Sequence, residues 1–183
     1  MLRVCFFGGP GVGKSVLAAK VYAELSRGGI VSTELVQEFI KSWAYAGQQI
    51  DKFDQVYTFA NQLWAEHRLL KSGVQVVVTD SPILLQCVYT SQLDQCIATD
   101  LMGIAQEYEK AYPSLNFYVA RDVPYKPFGR YQTAAEVESL DRQILGFIEN
   151  MRLNFITVVP REWDTILATV KEAAYAMGDV KWR

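Results

Sequence analysis

Residues 8 to 15 read Gly-Gly-Pro-Gly-Val-Gly-Lys-Ser, which is the full spacing of a phosphate-binding loop. Glycines here let backbone N–H groups turn inward around phosphate oxygens, and the start of a following helix adds partial positive charge. Lys14 is expected to reach the β- and γ-phosphates of ATP, and the Ser15 hydroxyl to hold Mg²⁺. The residues predicted to bind ATP here are Gly8, Gly9, Pro10, Gly11, Val12, Gly13, Lys14, Ser15 and Val16.

The sequence on both sides of this loop supplies the elements that must position it. Residues 2–7 form an apolar, β-prone run that is typical of a buried parallel strand. After the loop, Leu17, Val21 and Leu25 recur at helical spacing. Because the motif is specific only between a strand and a helix, this context favours a nucleotide site over a glycine-rich turn that binds nothing.

Strand and helix signals alternate along the rest of the chain. Further strands are predicted at 30–36, 74–79, 115–120 and 155–159. Helices are predicted at about 38–45, between Asp51 and Gly73, as two short helices within 83–112, from a capping box at 133–136, and at 163–177. This alternation predicts an α/β fold, a three-layer αβα sandwich of the P-loop NTPase type, with a five-stranded parallel sheet in the order 2-3-1-4-5. We expect residues 1–183 to form a single domain.

The long helix after Asp51 carries apolar residues at steps of three and four, which predicts one buried face. That face contains Phe53, Val56, Tyr57, Ala60, Leu63, Trp64, His67 and Leu70. His67 is the single histidine of the chain, and on this face we expect it to pack rather than to take part in catalysis.

The composition narrows the class of protein. Half of the 183 residues are hydrophobic, and the formal net charge is −2, so the chain as a whole does not attract nucleic acid. Three cysteines without a CxxC pair and one histidine argue against a structural zinc site. Unpaired cysteines, together with the lack of a signal peptide or a long apolar span, predict a cytoplasmic location without membrane association. The oligomeric state is left open.

Asp80 and Ser81 follow the third predicted strand, where ligands of a parallel sheet bind. A carboxylate here can bind Mg²⁺ or accept the proton of an acceptor hydroxyl, although Asp80 could instead cap the next helix. Motor ATPases commonly place a water-polarising Glu directly after this aspartate, and Ser81 cannot do that work. The Asn-Lys-x-Asp guanine reader of GTPases is also missing. The residues therefore favour transfer to a bound acceptor over hydrolysis.

Residues 121–132 follow the fourth strand and combine cations, aromatic residues and two prolines. Arg121, Lys126 and Arg130 are expected to belong to a lid, with Arg121 and Arg130 neutralising charge on the transferred phosphoryl group. The alternative is a solvated surface loop. Lys126 could equally face solvent or a nucleic acid. Together with Arg142, these cations could form a local basic rim, and such phosphate contacts would make DNA binding sensitive to salt.

Four segments carry a family resemblance: the phosphate-binding loop, Glu-Leu-Val-Gln-Glu-Phe at 34–39, Val-Thr-Asp-Ser-Pro at 78–82 and Gly-Arg-Tyr-Gln at 129–132. Over nearly its whole length the chain resembles the small phage-type P-loop kinases of the ribosylnicotinamide-kinase-like ATPase group, which are related more distantly to deoxynucleoside and nucleoside monophosphate kinases. The resemblance implies ATP as phosphoryl donor with Mg²⁺. Because some phage members phosphorylate 5-hydroxymethyluracil in DNA during thymidine hypermodification, it makes that base the first candidate acceptor. The alternatives are a kinase of a free nucleoside or nucleoside monophosphate, and a nucleotide-binding regulatory module without catalysis.

The resemblance also implies roles for individual residues. Glu38 would lie near the acceptor hydroxyl as a base or anchor, unless it is an ordinary charge in a first helical turn. It therefore competes with Asp80 for the role of base. A glutamine of the long helix, Gln55 or Gln62, would pair with a base edge, and Arg161 would flank the adenine. Aromatic side chains could stack on the acceptor base or belong to the core; these are Trp43 and Tyr45.

Overall fold

The computed structural model describes residues 1–29, 31–122, 124–126 and 131–176, with backbone only for Ala134. Strands and helices alternate along the chain. The strands are β1 (Leu2–Phe7), β2 (Thr33–Val36), β3 (Val76–Thr79), β4 (Ser114–Val119) and β5 (Phe155–Val158). The helices are α1 (Lys14–Gly28), α2 (Lys41–Tyr45), α3 (Lys52–Lys71), α4 (Ile83–Ser91), α5 (Gln95–Ala111), α6 (Ala134–Asn150) and α7 (Trp163–Ala176).

The five strands form one parallel sheet in the order β2-β3-β1-β4-β5, which confirms the predicted fold. β1 lies between β3 and β4, with Val4 opposite Val78 on one side and Leu115 on the other. All four residues of β3 are buried, as expected of a central parallel strand that is covered on both faces. Since all strands run the same way, the ends of β1, β2 and β3 meet at one edge of the sheet.

Two apolar clusters cover the two faces of the sheet. One packs α1 and α7 against the sheet through side chains such as Leu17, Val21 and Ile166. The other packs α3, α4, α5 and α6 on the opposite face, with Ile83 and Ile144 among its fully buried members. Because β1 is the middle strand, the loop that joins it to α1 lies at the middle of one edge of the sheet.

Several element ends differ from the sequence predictions, and hydrogen bonds give the reason. α2 begins at Lys41 instead of near Glu38, because the Glu38 backbone N–H donates to the Asp80 carboxylate at 2.9 Å. The predicted caps are confirmed: Asp51 accepts from the Phe53 and Asp54 backbone N–H groups, and α6 begins with the expected capping box. α5 is longer than predicted, at 17 residues.

No helix among the described residues is both long and apolar enough to cross a membrane.

The predicted apolar face of α3 is wrong for most of its residues: Leu70 is buried and Leu63 and His67 are half-buried, and the other five are exposed. Phe53, Tyr57 and Trp64 are 67%, 53% and 61% exposed, whereas a polar row is buried against the sheet. That row comprises Gln55, Thr58, Gln62 and Glu66, accompanied by Phe59 and Leu70. The polar side chains are buried because they meet polar partners at the sheet, which the helical period alone does not reveal. His67 is half-buried and packs edge-on against two tyrosine rings, as expected of a packing residue.

Candidate active site

The loop between β1 and α1 has the geometry of an anion cradle. Gly13 precedes α1 with φ 101°, a left-handed conformation that side chains rarely adopt, and a Cβ there would lie 3.2 Å from Pro160. No side chain caps the start of α1 and no acidic residue stands in its first turn. The first N–H groups of the helix are therefore available to an anion, and the helix dipole favours a negative charge there. Val12 packs its side chain into the core, so only its backbone can serve the ligand.

Lys14 spans this loop. Its Nζ donates to the carbonyl oxygens of Gly8 at 2.7 Å and Gly9 at 2.8 Å, which holds the ammonium group across the mouth of the loop. Ser15 follows in the first turn of α1 and lines the same cavity, as does the exposed side chain of Val16. The cation, the hydroxyl and the helix N-terminus thus converge on one point.

The ends of β2 and β3 bring two carboxylates beside the loop. Asp80 is 3% exposed, and its Oδ1 accepts the hydrogen bond from the Glu38 backbone. The Glu38 side chain lines the cavity together with Lys14 and Ser15, whereas Asp80 lies behind this surface. The two candidate bases therefore lie in adjacent but different places.

A cavity of about 480 Å³ opens directly from the phosphate loop. Its donor side is formed by Pro10, Gly11, Gly13, Lys14, Ser15 and Val16. Its other walls come from α2, α3, α4 and the segment before α6, and consist of Glu38, Ile40, Lys41, Ala44, Gln49, Ile50, Gln55, Gln86, Tyr89, Gln92, Leu93, Tyr131 and Gln132. Apolar side chains and carboxamides alternate on these walls, which suits a flat heterocycle with polar edges.

Five glutamines line this cavity, and only Gln55 was predicted from the sequence to bind the acceptor. Gln55 lies in the buried row of α3, and Thr58 Oγ1 donates to its backbone carbonyl oxygen at 3.1 Å. Gln86 is 4% exposed and donates to Ser81 Oγ at 2.6 Å, so α4 presents it from a fixed position. The sequence holds one sign of this role, because Gln86 follows closely after Asp80-Ser81-Pro82 at the end of β3. Gln86 was missed because most residues of the short helix α4 are apolar and predict only packing.

Arg121 is held firmly above the phosphate loop. Its Nε and Nη2 donate to the two carboxylate oxygens of Asp141 at 2.7 and 3.1 Å, and Nη2 also donates to the Pro10 carbonyl oxygen at 2.9 Å. Nη1 is buried without a hydrogen-bond partner among the described residues. Such a donor next to the cradle is suited to an oxygen of a bound phosphate.

The loop and the Arg121–Asp141 pair fit closely. A Cβ at Gly9 would overlap the Asp141 carboxylate, and one at Gly11 would lie 3.2 Å from the Tyr125 ring. Glycine at these two positions is therefore required by the approach of α6 and of the segment after β4. Asp141 was missed in the sequence because it sits inside a helix, twenty residues from its partner, with no local motif.

Tyr131 was also missed, although it lies in the segment predicted to be a lid. It lines the cavity and is 38% exposed. Partial burial raises its pKa, and the nearby carboxylates of Glu38 and Asp54 raise it further. The phenol therefore stays protonated at neutral pH and can donate a hydrogen bond towards Glu38 or a bound acceptor.

Other predicted site residues lie away from the cavity. Gln62 is fully buried and donates to Thr79 Oγ1 at 3.2 Å, and Trp43 stacks on Tyr57 with ring centroids 6.0 Å apart. Neither residue lines the cavity, because Gln62 is buried against Thr79 of β3 and Trp43 packs on the Tyr57 ring. Lys126 is exposed, and Arg161 is 77% exposed with a 3.8 Å ion pair to Asp122. Arg130 lies outside the described residues.

The donor set fits Mg²⁺. Ser15 offers a hydroxyl oxygen and Asp80 a carboxylate oxygen, and Mg²⁺ prefers such hard ligands while keeping water and phosphate oxygens for the remaining positions. No group of three or more His, Cys, Asp or Glu side chains that could hold a metal occurs in the described part of the chain. A metal that shares its coordination with nucleotide phosphates does not need such a cluster.

The strand order and the cradle at the end of β1 define a P-loop kinase fold. Solved structures with this fold include the NadR protein in complex with NR, at 14% identity and TM-score 0.68, covering 100% of this chain and 52% of that one. Thymidylate kinase from Ehrlichia chaffeensis matches at 14% identity and TM-score 0.65, covering 94% of this chain and 97% of that chain. Deoxyadenosine kinase from M. mycoides, with dCMP and dCDP bound, matches at 14% identity and TM-score 0.56, covering 96% and 100%.

These structures show the fold, and the chain spans about half the length of the NadR protein that it matches. A comparison with curated proteins found no match. The AAA domain family matches residues 3–165, which is most of the chain, and the protein belongs to that family.

Proposed function

We propose that this protein is a phosphotransferase that moves the γ-phosphate of ATP to a hydroxyl group of a nucleoside-type acceptor. One observation carries the proposal: the phosphate loop forms one side of a single cavity of about 480 Å³ whose other walls are apolar and carboxamide side chains, so donor and acceptor can meet there. The kinases of similar fold act on nucleosides or nucleotides by their names, which is consistent with this reading.

The proposed division of work follows the position of each side chain. Lys14 and the N-terminus of α1 bind the β- and γ-phosphates, and Ser15 with Asp80 would hold Mg²⁺. Mg²⁺ would neutralise phosphate charge when bound. Glu38, on the cavity wall, anchors the acceptor hydroxyl, and Arg121 directs its buried Nη1 towards the transferred group.

Asp80→Asn is expected to abolish Mg²⁺-dependent transfer more completely than Glu38→Gln. Asparagine can still accept the hydrogen bond from the Glu38 backbone through Oδ1, so the change chiefly removes the charge that serves the metal and phosphates. Glu38→Gln should raise the KM for the acceptor and spare ATP binding. Calorimetric titration with Mg-ATP checks this, and equal losses of ATP affinity in both variants would contradict the division.

Asp141→Ala is expected to lower kcat about tenfold, and Arg121→Ala about 100-fold, because Asp141 acts by holding Arg121 on the loop. The double variant should be no slower than Arg121→Ala alone, since residues that act as a unit are not additive. Steady-state kinetics of the four proteins complete the cycle. If Asp141→Ala costs another factor of ten in the Arg121→Ala background, then Asp141 does not act through Arg121.

The proposed function is tested by incubating the protein with Mg-ATP and a panel of acceptors while following ADP. The panel contains free nucleosides, nucleoside monophosphates, and DNA with or without 5-hydroxymethyluracil. ADP formation that depends on an acceptor, with labelled phosphate recovered in the acceptor, supports the kinase. ATP binding without transfer to any of them would favour the non-catalytic regulatory module instead.

Within this function, 5-hydroxymethyluracil in DNA is our specific candidate acceptor. The sequence resemblance supplies it, and the exposed Lys126 and Arg142 outside the cavity are suited to DNA phosphates. A free nucleoside or nucleoside monophosphate is the second candidate. Tyr131 and Gln132 favour it, because they close one side of the cavity.

Salt distinguishes these two acceptors. Transfer to modified DNA should fall steeply between low and physiological salt, and Lys126→Glu should weaken it further without changing the affinity for ATP. Transfer to a free nucleoside should change little under either condition. If the protein phosphorylates free nucleosides and ignores hydroxymethylated DNA at every salt concentration, the DNA candidate is rejected and the kinase function stands.

A further inference from the structure

A stripe of apolar side chains on α3 faces away from the sheet. Phe53, Val56, Tyr57 and Trp64 are 67, 39, 53 and 61% exposed, and the small, exposed Ala60 lies between them. They recur at steps of three and four residues, which places them in one row about 16 Å long. The rings of Phe39 and Trp43 contact Tyr57 at one edge of this row. The row, which we call the α3 stripe, otherwise stays largely exposed. A contiguous apolar surface of this kind marks an interaction site.

The charges at the two ends of α3 are self-complementary. Asp51 and Asp54 stand at its beginning, and Arg68 and Lys71 stand in its last turns. Asp54 and Arg68 are symmetric about Asn61, seven residues away on opposite sides. Lys52, which also stands at the beginning of the helix, pairs with Asp94 of the same chain. Asp54 and Arg68 are also close to four helical turns apart, so they share one flank of the stripe.

We propose that the α3 stripe binds the same stripe of a second copy of this chain, with the two α3 helices antiparallel and a two-fold axis near Asn61. In this register Asp54 faces the partner's Arg68, and Tyr57 lies opposite the partner's Trp64. The proposal is independent of the proposed function, since none of these stripe residues lines the cavity.

Symmetry favours a second copy over an unrelated partner. A two-fold interface uses the same patch on both subunits, so the patch must complement itself, and the placement of charges about Asn61 meets that condition. Ala60 next to the axis allows the helices to approach closely. Antiparallel pairing also sets the N-terminal end of each helix dipole beside the C-terminal end of the other. Tyr and Trp at the centre are residue types that dominate binding energy in interfaces.

Sedimentation velocity over a range of concentrations tests the proposal. The wild-type chain should sediment as a dimer, and Trp64→Glu should raise its dissociation constant about 30-fold or more. Ile104→Glu is the matched control, because Ile104 is 50% exposed on α5, outside the stripe, and should leave the dimer intact. A wild-type chain that stays monomeric at all concentrations, or a dimer that resists Trp64→Glu, overturns the proposal.

The register is tested by charge exchange and cross-linking. Arg68→Glu and Asp54→Lys should each weaken the dimer about tenfold, and the double variant should recover most of the loss.

Cross-linking is done in a Cys96→Ser background, since Cys5 and Cys87 are buried and need no replacement. A short bis-maleimide should join Ala60→Cys between subunits, whereas it should not join Ile104→Cys. Additive losses in the double variant, or no cross-link at Ala60, would rule out this antiparallel pairing.

Discussion

Lys14→Ala is expected to slow phosphoryl transfer about 100- to 1000-fold while the protein stays folded. Lys14 is the cation that bridges the mouth of the loop, with Nζ bonded to the carbonyl oxygens of Gly8 and Gly9. Removing one preorganised charge from a site where negative charge develops costs about 3–4 kcal/mol of transition-state stabilisation. The side chain is half-buried at the cavity and not part of either apolar cluster, so unfolding should shift little.

Steady-state kinetics with a saturating acceptor measure this loss, and thermal melts verify the fold. Lys20→Ala is a matched control, because Lys20 lies on the same helix but contacts Trp163, 5.1 Å from the ring centroid, instead of the cavity. Its turnover should equal that of the wild-type protein. Wild-type turnover in a folded Lys14→Ala protein would exclude this loop as the catalytic centre.

Arg3→Met is expected to destabilise the folded protein by about 3–5 kcal/mol. Arg3 is 1% exposed, and its guanidinium donates to Glu66 Oε2 at 3.0 Å, Glu109 Oε1 at 2.6 Å and the Tyr112 carbonyl oxygen at 3.1 Å. It also lies 4.7 Å from the centroid of the Tyr108 ring. Without Arg3, the fully buried Glu66 loses its cation, and an uncompensated buried charge is costly.

The pH dependence of this loss has a defined sign. Burial already raises the pKa of Glu66, although the nearby Arg3 opposes the shift. Removing Arg3 raises that pKa further, so between the ordinary glutamate pKa and the raised pKa the native variant holds a proton that the unfolded chain has already released. Its stability must then fall as pH rises, because the native state holds more protons than the unfolded state. Arg3→Met should therefore be less destabilised at acidic pH than at neutral pH.

Urea unfolding at two pH values measures both effects. Arg3→Met combined with Glu66→Gln should recover part of the lost stability, since the buried charge is then gone. Arg27→Met is the matched control: the Arg27–Glu24 pair is solvent-exposed, and no measurable loss is expected. A loss in Arg3→Met that is unchanged by pH and by Glu66→Gln would show that packing, and not charge, sets the cost.

This buried network explains why the orientation of α3 could not be predicted. Gln62 contacts both Glu66 and Thr79, and Glu66 pairs with Arg3 on β1, so a polar row leads from the sheet interior to the residue before Asp80. The Glu66–Arg3 and Gln62–Thr79 contacts join α3 to the sheet, whereas the Gln62–Glu66 contact lies within α3. The helical period alone assigns polar residues to solvent, because it contains no information on partners that lie on other strands and helices.

The phosphate loop and most helix starts could be predicted from the sequence, because these features depend on neighbouring residues. The order of the strands was predicted from a different rule, the right-handed crossover of alternating strands and helices. The glycines of residues 8–13, the cap at Asp51 and the capping box at Thr133 act within a few positions along the chain. Three features could not be predicted without the folded structure: which face of α3 is buried, which glutamines reach the cavity, and the contact by which Asp141 holds Arg121 on the loop. These features follow from pairings between distant segments, and a pairing becomes visible only when the sheet has brought both partners together.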